Sequence, residues 1–148
     1  MFKTMTQSAL LLLIPILFGC GNSASPSSNG ESIYVTGKDS SSMVISADVD
    51  RESLRDQSLV LSCAGCHGVD RRGAKSLIPD FGPYIAPDIT RQTLLRASSR
   101  RPAYDAVSLR QAITKGKSPS GKSLHYPMPR WNVDGKNLDD LIRYLLVE

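Results

Sequence analysis

The pentapeptide Cys63-Ala-Gly-Cys66-His67 constrains this chain more than any other feature. Two thiols at this spacing lie on adjacent turns and can bond to the two vinyl groups of a haem, while the imidazole of the next residue reaches the iron from the same side. The motif therefore predicts one covalently bound haem c, attached through Cys63 and Cys66, with His67 as an iron ligand. Attachment of this kind requires an oxidising, extracytoplasmic compartment.

Two other interpretations of the motif are weaker. A redox-active C-x-x-C pair is typical of a βαβ unit, which the flanking sequence does not resemble, and it leaves His67 without a role. A structural zinc site needs four ligands, but the third cysteine of the chain, Cys20, lies in a separate N-terminal segment, and His125 is the only other histidine.

The N-terminal segment predicts export and lipid attachment. Lys3 precedes an apolar run over residues 9–18, which is shorter than the roughly 20 residues that span a bilayer but typical of a signal peptide. The run ends in Leu-Phe-Gly-Cys20 and resembles a bacterial lipobox, with an ordinary secretory signal as the alternative. We expect residues 1–19 to be a signal peptide and Cys20 to anchor the protein to a bacterial membrane, in the periplasm or at the cell surface.

The rest of the chain suffices for one domain. The full length is 148 residues, of which 41% are hydrophobic and 22% charged, so disorder of the whole chain is excluded. Residues 20–32 are rich in serine and glycine and are expected to form a flexible tether, which leaves residues 33–148 as the folded domain. A net charge of +4 is too small to indicate nucleic-acid binding.

A haem that transfers electrons commonly takes a methionine as its second axial ligand. Of the two methionines outside the signal segment, Met128 lies between Pro127 and Pro129, which stiffen the loop and hold a weak thioether ligand at low entropic cost. Met43 has no such bracing. We therefore expect Met128 to bind the iron, with His125 as the rival ligand three residues away.

Hydrophobic periodicity predicts helices on both sides of the haem motif. The clearest is the last one, in which apolar residues recur at intervals of three and four residues. Glycine after Lys115 marks the end of another. The predicted helices cover residues 48–62, 90–97, 105–115 and 134–146.

The haem motif, the late Met-Pro-Arg-Trp segment and the closing Leu-Ile-Arg-Tyr-Leu-Leu together resemble class I monohaem cytochromes c, over about residues 50–147. The resemblance implies a small all-α fold in which the terminal helices cross and enclose one haem. It also implies that His67 and Met128 are the axial ligands. We count Arg130 and Trp131 with the haem-binding residues, Arg130 as a partner of the haem propionates.

Two further segments resemble parts of this family. Residues 85–90 resemble its proline loop, in which the carbonyl of Pro87 would accept the imidazole proton of His67, with Pro79 as the alternative. Residues 33–37, Ile-Tyr-Val-Thr-Gly, resemble a segment that precedes the haem helix in a bacterial subgroup. They predict that residues 33–46 fold onto the domain as a short β-hairpin, the alternative being disorder as far as Ala47.

The chain departs from the family at one position. These cytochromes usually have a glycine in the first helix where the last helix crosses it. If residues 48–62 are that first helix, the position is held by Arg55 or Asp56, and the crossing is expected to be looser or to use a nearby serine.

The resemblance implies an electron carrier rather than an enzyme, because an iron with both axial positions filled has no site for substrate. The alternatives are a haem enzyme or a sensor of gas or peroxide with a labile distal ligand, and a cytochrome subunit of a larger oxidoreductase.

Basic residues predict the kind of partner. Residues 89–130 contain nine of them and a single acid, Asp105, so we expect a redox partner protein with an acidic docking face. The alternatives are an ordinary solvated surface or attraction to anionic lipids. The nine are Arg91, Arg96, Arg100, Arg101, Arg110, Lys115, Lys117, Lys122 and Arg130.

Overall fold

The computed structural model describes residues 25–48, 60–73, 84–125 and 127–147. Within these ranges the chain is mainly helical, as predicted. It also contains one two-stranded antiparallel sheet, which the predicted all-α architecture lacks. The elements in chain order are α1 (Asn29–Thr36), β1 (Ala47–Asp48), α2 (Ala64–His67), α3 (Arg91–Leu94), α4 (Ala106–Lys115), β2 (Arg130–Trp131) and α5 (Gly135–Leu146).

Helix α1 stands where the first part of a β-hairpin was predicted. The hydroxyl of Ser28 accepts a hydrogen bond from the Glu31 amide at 3.2 Å, and Gly37 ends the helix with φ 70°, a conformation that favours glycine. The hairpin prediction was wrong for residues 33–36, because Ser28 and Gly37 cap the two ends of a helix of about two turns that includes them. The tether predicted over residues 20–32 must also be shortened, since its last four residues belong to α1.

The segment after α1 does fold onto the domain. Residues 38–44 make a tight turn closed by one bridge between Lys38 and Val44, and Ile45 is buried. The chain then forms β1, in which Ala47 pairs with Trp131 and Asp48 with Arg130. This pairing joins the stretch between α1 and the haem motif to the chain just after Met128.

Helices α1 and α5 cross at Gly30. A Cβ atom built on Gly30 would lie 2.2 Å from the carbonyl oxygen of Asp140, so only glycine allows the two backbones to come this close. The side chain of Asn29 reinforces the crossing by donating to Asp140 Oδ2 at 2.8 Å. The expectation of a looser crossing at Arg55 or Asp56 was therefore wrong, because the first helix of the fold lies upstream of residues 48–62.

The predicted helices agree with the structure to different degrees. The helix predicted over residues 105–115 is α4, capped by Asp105, whose carboxylate accepts from the Ser108 amide. The helix predicted over 134–146 is α5, and the weak one over 90–97 is reduced to the single turn α3. Of the helix predicted over 48–62, residues 49–59 lie outside the described residues, Asp48 is in β1 and residues 60–62 are not helical.

Two arginines hold the end of α5. Arg71 Nη1 donates to the carbonyl of Tyr144 at 2.9 Å, and Arg91 Nε donates to that of Leu146 at 2.7 Å. Both cations lie where the helix dipole is negative, so they stabilise α5 and join it to the haem-motif loop and to α3. Among the helices of the described ranges, none is long and apolar enough to cross a membrane.

Candidate haem site

A cavity of about 370 Å³ lies between the haem motif, the C-terminal loop and helices α4 and α5. The motif contributes Cys63, Cys66 and His67, and the loop contributes Met128. Most of the remaining wall is apolar, as expected for a site that binds a flat organic cofactor. Residues of the other elements in this wall are Leu94, Leu109, Ala112, Ile113, Leu141 and Leu145.

His67 is held in one orientation. Its side chain is buried, and Nδ1 donates to the carbonyl oxygen of Pro87 at 2.9 Å, as expected for Pro87; Pro79 lies outside the described residues. This leaves Nε2 as the nitrogen available to a metal. Burial lowers the pKa of His67, and the Pro87 hydrogen bond only partly opposes this. The neutral imidazole, the form that binds iron, is therefore favoured at neutral pH.

The loop that carries Pro87 is fixed against the turn after the haem motif. The amide of Ile89 donates to the carbonyl of Arg71 at 2.8 Å. A Cβ atom at Gly73 would lie 2.2 Å from the carbonyl oxygen of Ala86, so glycine allows the two segments to touch. The position of the Pro87 carbonyl thus depends on residues next to the motif in sequence.

The cysteines suit covalent attachment better than redox cycling. Cys63 and Cys66 are not joined by a disulfide. Burial raises the pKa of the Cys63 thiol to about 12, whereas reactive C-x-x-C pairs have lowered values. In the described part of the chain no group of three or more His, Cys, Asp or Glu side chains could hold a metal ion, which gives the zinc interpretation no support.

Tyr34 connects the motif to α1. Its ring lines the cavity and is fully buried, and its hydroxyl donates to the carbonyl of Gly68 at 2.7 Å. Burial raises the pKa of Tyr34, so the hydroxyl keeps its proton and remains a donor at all physiological pH values. The first helix therefore supports the haem motif directly.

Met128 and His125 both line the cavity, whereas Met43 does not and has 66% of its surface exposed. The amide of Met128 donates to the carbonyl of His125 at 3.1 Å and closes a turn. The imidazole of His125 stacks on Tyr84, with ring centroids 5.7 Å apart. The structure thus removes Met43 from the candidate ligands and leaves the two residues of the turn.

The comparison with protein families decides the identity of the chain. The family model described as Cytochrome c matches residues 56–147, which is more than half of the chain and includes the cavity-lining motif and the Met128 loop. The chain belongs to the cytochrome c family. No curated protein and no solved structure matches it significantly. The cytochrome binds one haem c covalently, and its role is haem-based electron transfer.

The residues around the cavity fit this haem. Two thiols for the vinyl groups and a neutral, oriented imidazole come from one short segment, and the other walls are apolar. When bound, the iron supplies a one-electron couple between its ferric and ferrous states. The protein would supply axial ligation from His67 and a mainly apolar wall around the ring. Cys20, the predicted lipid attachment site of the cytochrome, lies outside the described residues.

The two residues predicted to bind the haem with Met128 differ in position. Trp131 is buried and lines the cavity. Arg130 does not line it, and its guanidinium donates instead to the carbonyls of Met128 and Leu124. Two of its nitrogens are therefore engaged by the loop backbone, which offers the propionate role no support.

Arg101, which in the sequence is one of nine basic residues, lines the cavity. Its guanidinium lies 4.8 Å from the centre of the Tyr104 ring and donates to the carbonyls of Thr93 at 2.9 Å, Pro102 at 3.0 Å and Arg96 at 3.4 Å. These contacts fix a positive charge beside the cavity, where it acts on carboxylates such as those of haem through its charge. The sequence could not single out Arg101, because its neighbour Arg100 has the same charge and is exposed.

Proposed function

We propose that this cytochrome is a membrane-tethered carrier that passes single electrons between extracytoplasmic redox partners and that it has no catalytic activity of its own. The observation that supports this most directly is that His67 and Met128 line the same cavity. With both as axial ligands, the iron has no open position for a substrate. A thioether ligand would also raise the reduction potential relative to two histidines.

The way in which the two ligands are held suits electron transfer. His67 is oriented by the carbonyl of Pro87, and Met128 lies in a turn between Pro127, which is buried, and Pro129. Ligands that are already in position need little rearrangement when the iron changes its charge. His125, the nearest candidate for an acid–base group, is exposed and stacked on Tyr84, which offers little support for peroxide chemistry.

Carbon monoxide distinguishes a carrier from an enzyme or a sensor. The reduced cytochrome is expected to bind it weakly or not at all, because Met128 must leave the iron first. The oxidised form is expected to show the weak far-red absorption band of sulfur bound to ferric iron. Rapid binding of carbon monoxide together with absence of that band would favour the alternative, a haem with an open or labile distal position.

Membrane attachment through Cys20 is part of the proposal. The lipobox-like sequence supports it, and Ser28, the cap of α1, follows Cys20 by only eight residues. Eight residues span at most about 28 Å even when fully extended. The haem domain would therefore stay close to the membrane surface. A Cys20→Ser form should be released from membranes, while normal retention would contradict lipid attachment.

We also propose that the redox partner docks with an acidic face near Arg96 and Arg100. Of the nine basic residues, Arg91, Arg101 and Arg130 are weaker candidates for docking, because their guanidinium groups bind backbone carbonyls. Arg96 and Arg100 are exposed and shortly precede Arg101, which lines the cavity. Within the described residues no ion pair involves either of them. Their closeness in the chain to a cavity-lining residue supports docking near the haem.

Charge reversal at these two positions tests the docking site. In the Arg96→Glu/Arg100→Glu variant the bimolecular rate constant with the partner should fall about tenfold at low salt, with the difference shrinking as salt screens the charges. A Lys115→Glu/Lys122→Glu variant has the same change in net charge and serves as the control. Equal effects in both variants would mean that only net charge matters. Lost binding to anionic vesicles with an unchanged rate would point to a membrane instead.

A further inference from the structure

The guanidinium of Arg130 lies against the turn that carries Met128. One nitrogen, Nη1, donates to the carbonyl of Met128, and Nη2 lies 3.4 Å from the carbonyl oxygen of Leu124. These two carbonyls stand on either side of the turn that the Met128 amide closes on His125. A single planar side chain therefore spans the turn, and guanidinium geometry suits two acceptors at once.

The guanidinium of Arg130 packs directly against Gly116. A Cβ atom at Gly116 would lie 1.9 Å from Cζ and 2.0 Å from Nε of Arg130, so no other residue leaves room for the side chain. Gly116 ends α4 with φ 60°, and its carbonyl accepts from the Leu124 amide at 2.7 Å. The cation thus lies at the negative end of a helix.

The backbone of Arg130 is held by the segment that precedes the haem motif. Asp48 pairs with it in the two-stranded sheet, and the amide of Asn132 donates to the carbonyl of Ser46 at 2.9 Å. The side chain of Arg130 therefore connects three parts of the molecule: the end of α4, the turn and, through β2, the segment that precedes the haem motif. Arg130 itself does not line the cavity.

We propose that Arg130 is a positioning residue that keeps the Met128 thioether on the iron by bracing the two sides of its turn. This inference rests on the proposed ligation by Met128. A thioether is a neutral and weak ligand, so the energy of the surrounding loop decides how readily it is displaced. Hydrogen bonds to a charged donor are about twice as strong as neutral ones, and they act here on the carbonyl of the ligand residue itself.

The test uses the oxidised holoprotein and free imidazole, which binds only where Met128 leaves the iron. In Arg130→Gln the dissociation constant for imidazole should fall about tenfold, as loss of one charge-assisted hydrogen bond implies, and the far-red band should weaken. Arg130→Lys should show an intermediate effect. Arg100→Gln removes the same charge without touching the turn and should leave both readouts unchanged.

A second variant covers the case in which Arg130→Gln does not fold. Gly116→Ala keeps Arg130 but forces its guanidinium away from the end of α4. This variant should weaken the far-red band and tighten imidazole binding. Gly121→Ala, also at positive φ but with nothing within 4 Å, is the control for backbone strain.

Three results would overturn the proposal: native imidazole affinity in Arg130→Gln, equal changes in Arg100→Gln, or a shifted reduction potential with unchanged imidazole affinity, which would assign Arg130 to the propionates. The failure of Met128 ligation is distinguishable, because the unmodified protein would then lack the far-red band, or Met128→Ala would keep it.

Discussion

The His67 side and the Met128 side of the haem site are built in different ways. His67 belongs to the short helix that carries both attachment cysteines, and its hydrogen-bond partner, Pro87, sits in a loop fixed by the neighbouring Arg71 and Gly73. Met128 belongs to an irregular turn that depends on Arg130, on Gly116 and on pairing with β1. The first side is specified mainly by nearby sequence, the second by contacts distant in the chain.

This difference predicts how mutations should affect each side. Covalent attachment should survive the loss of the distal ligand, because the cysteines act before and independently of Met128. The distal ligand, in contrast, should be displaced by changes that leave attachment intact. Disturbing the two sides separately therefore tests the contrast directly.

The largest expected effect is at the attachment residues. A Cys63→Ala/Cys66→Ala variant should lose haem completely on a denaturing gel, because no thioether bond can form. Met128→Ala should keep full haem staining but lose the far-red band and bind carbon monoxide readily. His125→Ala is the control and should retain the band. Haem staining in the double variant would contradict attachment through these cysteines. Carbon monoxide binding caused by His125→Ala alone would contradict Met128 as the distal ligand.

A smaller effect is expected where α1 crosses α5. Gly30→Ala places a methyl group on the Asp140 carbonyl and should lower the free energy of unfolding by about 1–3 kcal/mol, the usual cost of overpacking. Ser32→Ala, in the same helix, should change it by less than about 0.5 kcal/mol. Thermal or denaturant unfolding followed by circular dichroism measures both. A Gly30→Ala protein as stable as Ser32→Ala would show that the crossing is looser than the structure indicates.

The smallest expected effect concerns the hydrogen bond to His67. Gly73→Ala and Gly121→Ala both place a side chain at positive φ, at a cost of about 1–2 kcal/mol each. Only Gly73→Ala also presses on the Ala86 carbonyl and displaces the loop that carries Pro87. A weaker hydrogen bond to Pro87 makes the His67 imidazole a poorer donor of electron density to the iron, which stabilises the ferric state less. The reduction potential should therefore rise in Gly73→Ala and not in Gly121→Ala. Equal potentials in the two variants would mean that the Pro87 contact does not tune the iron.

Haem attachment could be predicted from sequence because it depends on five consecutive residues. The helices α4 and α5 were also predictable, since apolar residues recur along one face of each and α4 ends at a glycine. The first helix was missed because Ile33 and Val35 alternate with polar residues and imitate a strand. The glycine of the crossing was then sought at Arg55 or Asp56 instead of Gly30.

Sequence alone therefore determined the cofactor, its attachment and the family, because these reside in short motifs whose chemistry needs no partner from elsewhere in the chain. Only the tertiary structure decided the residue at which the terminal helices cross and the different roles of Arg101 and Arg130. An arginine carries the same charge and reach wherever it occurs. Whether it faces a cavity, a helix end or solvent depends on packing between segments that are far apart in sequence.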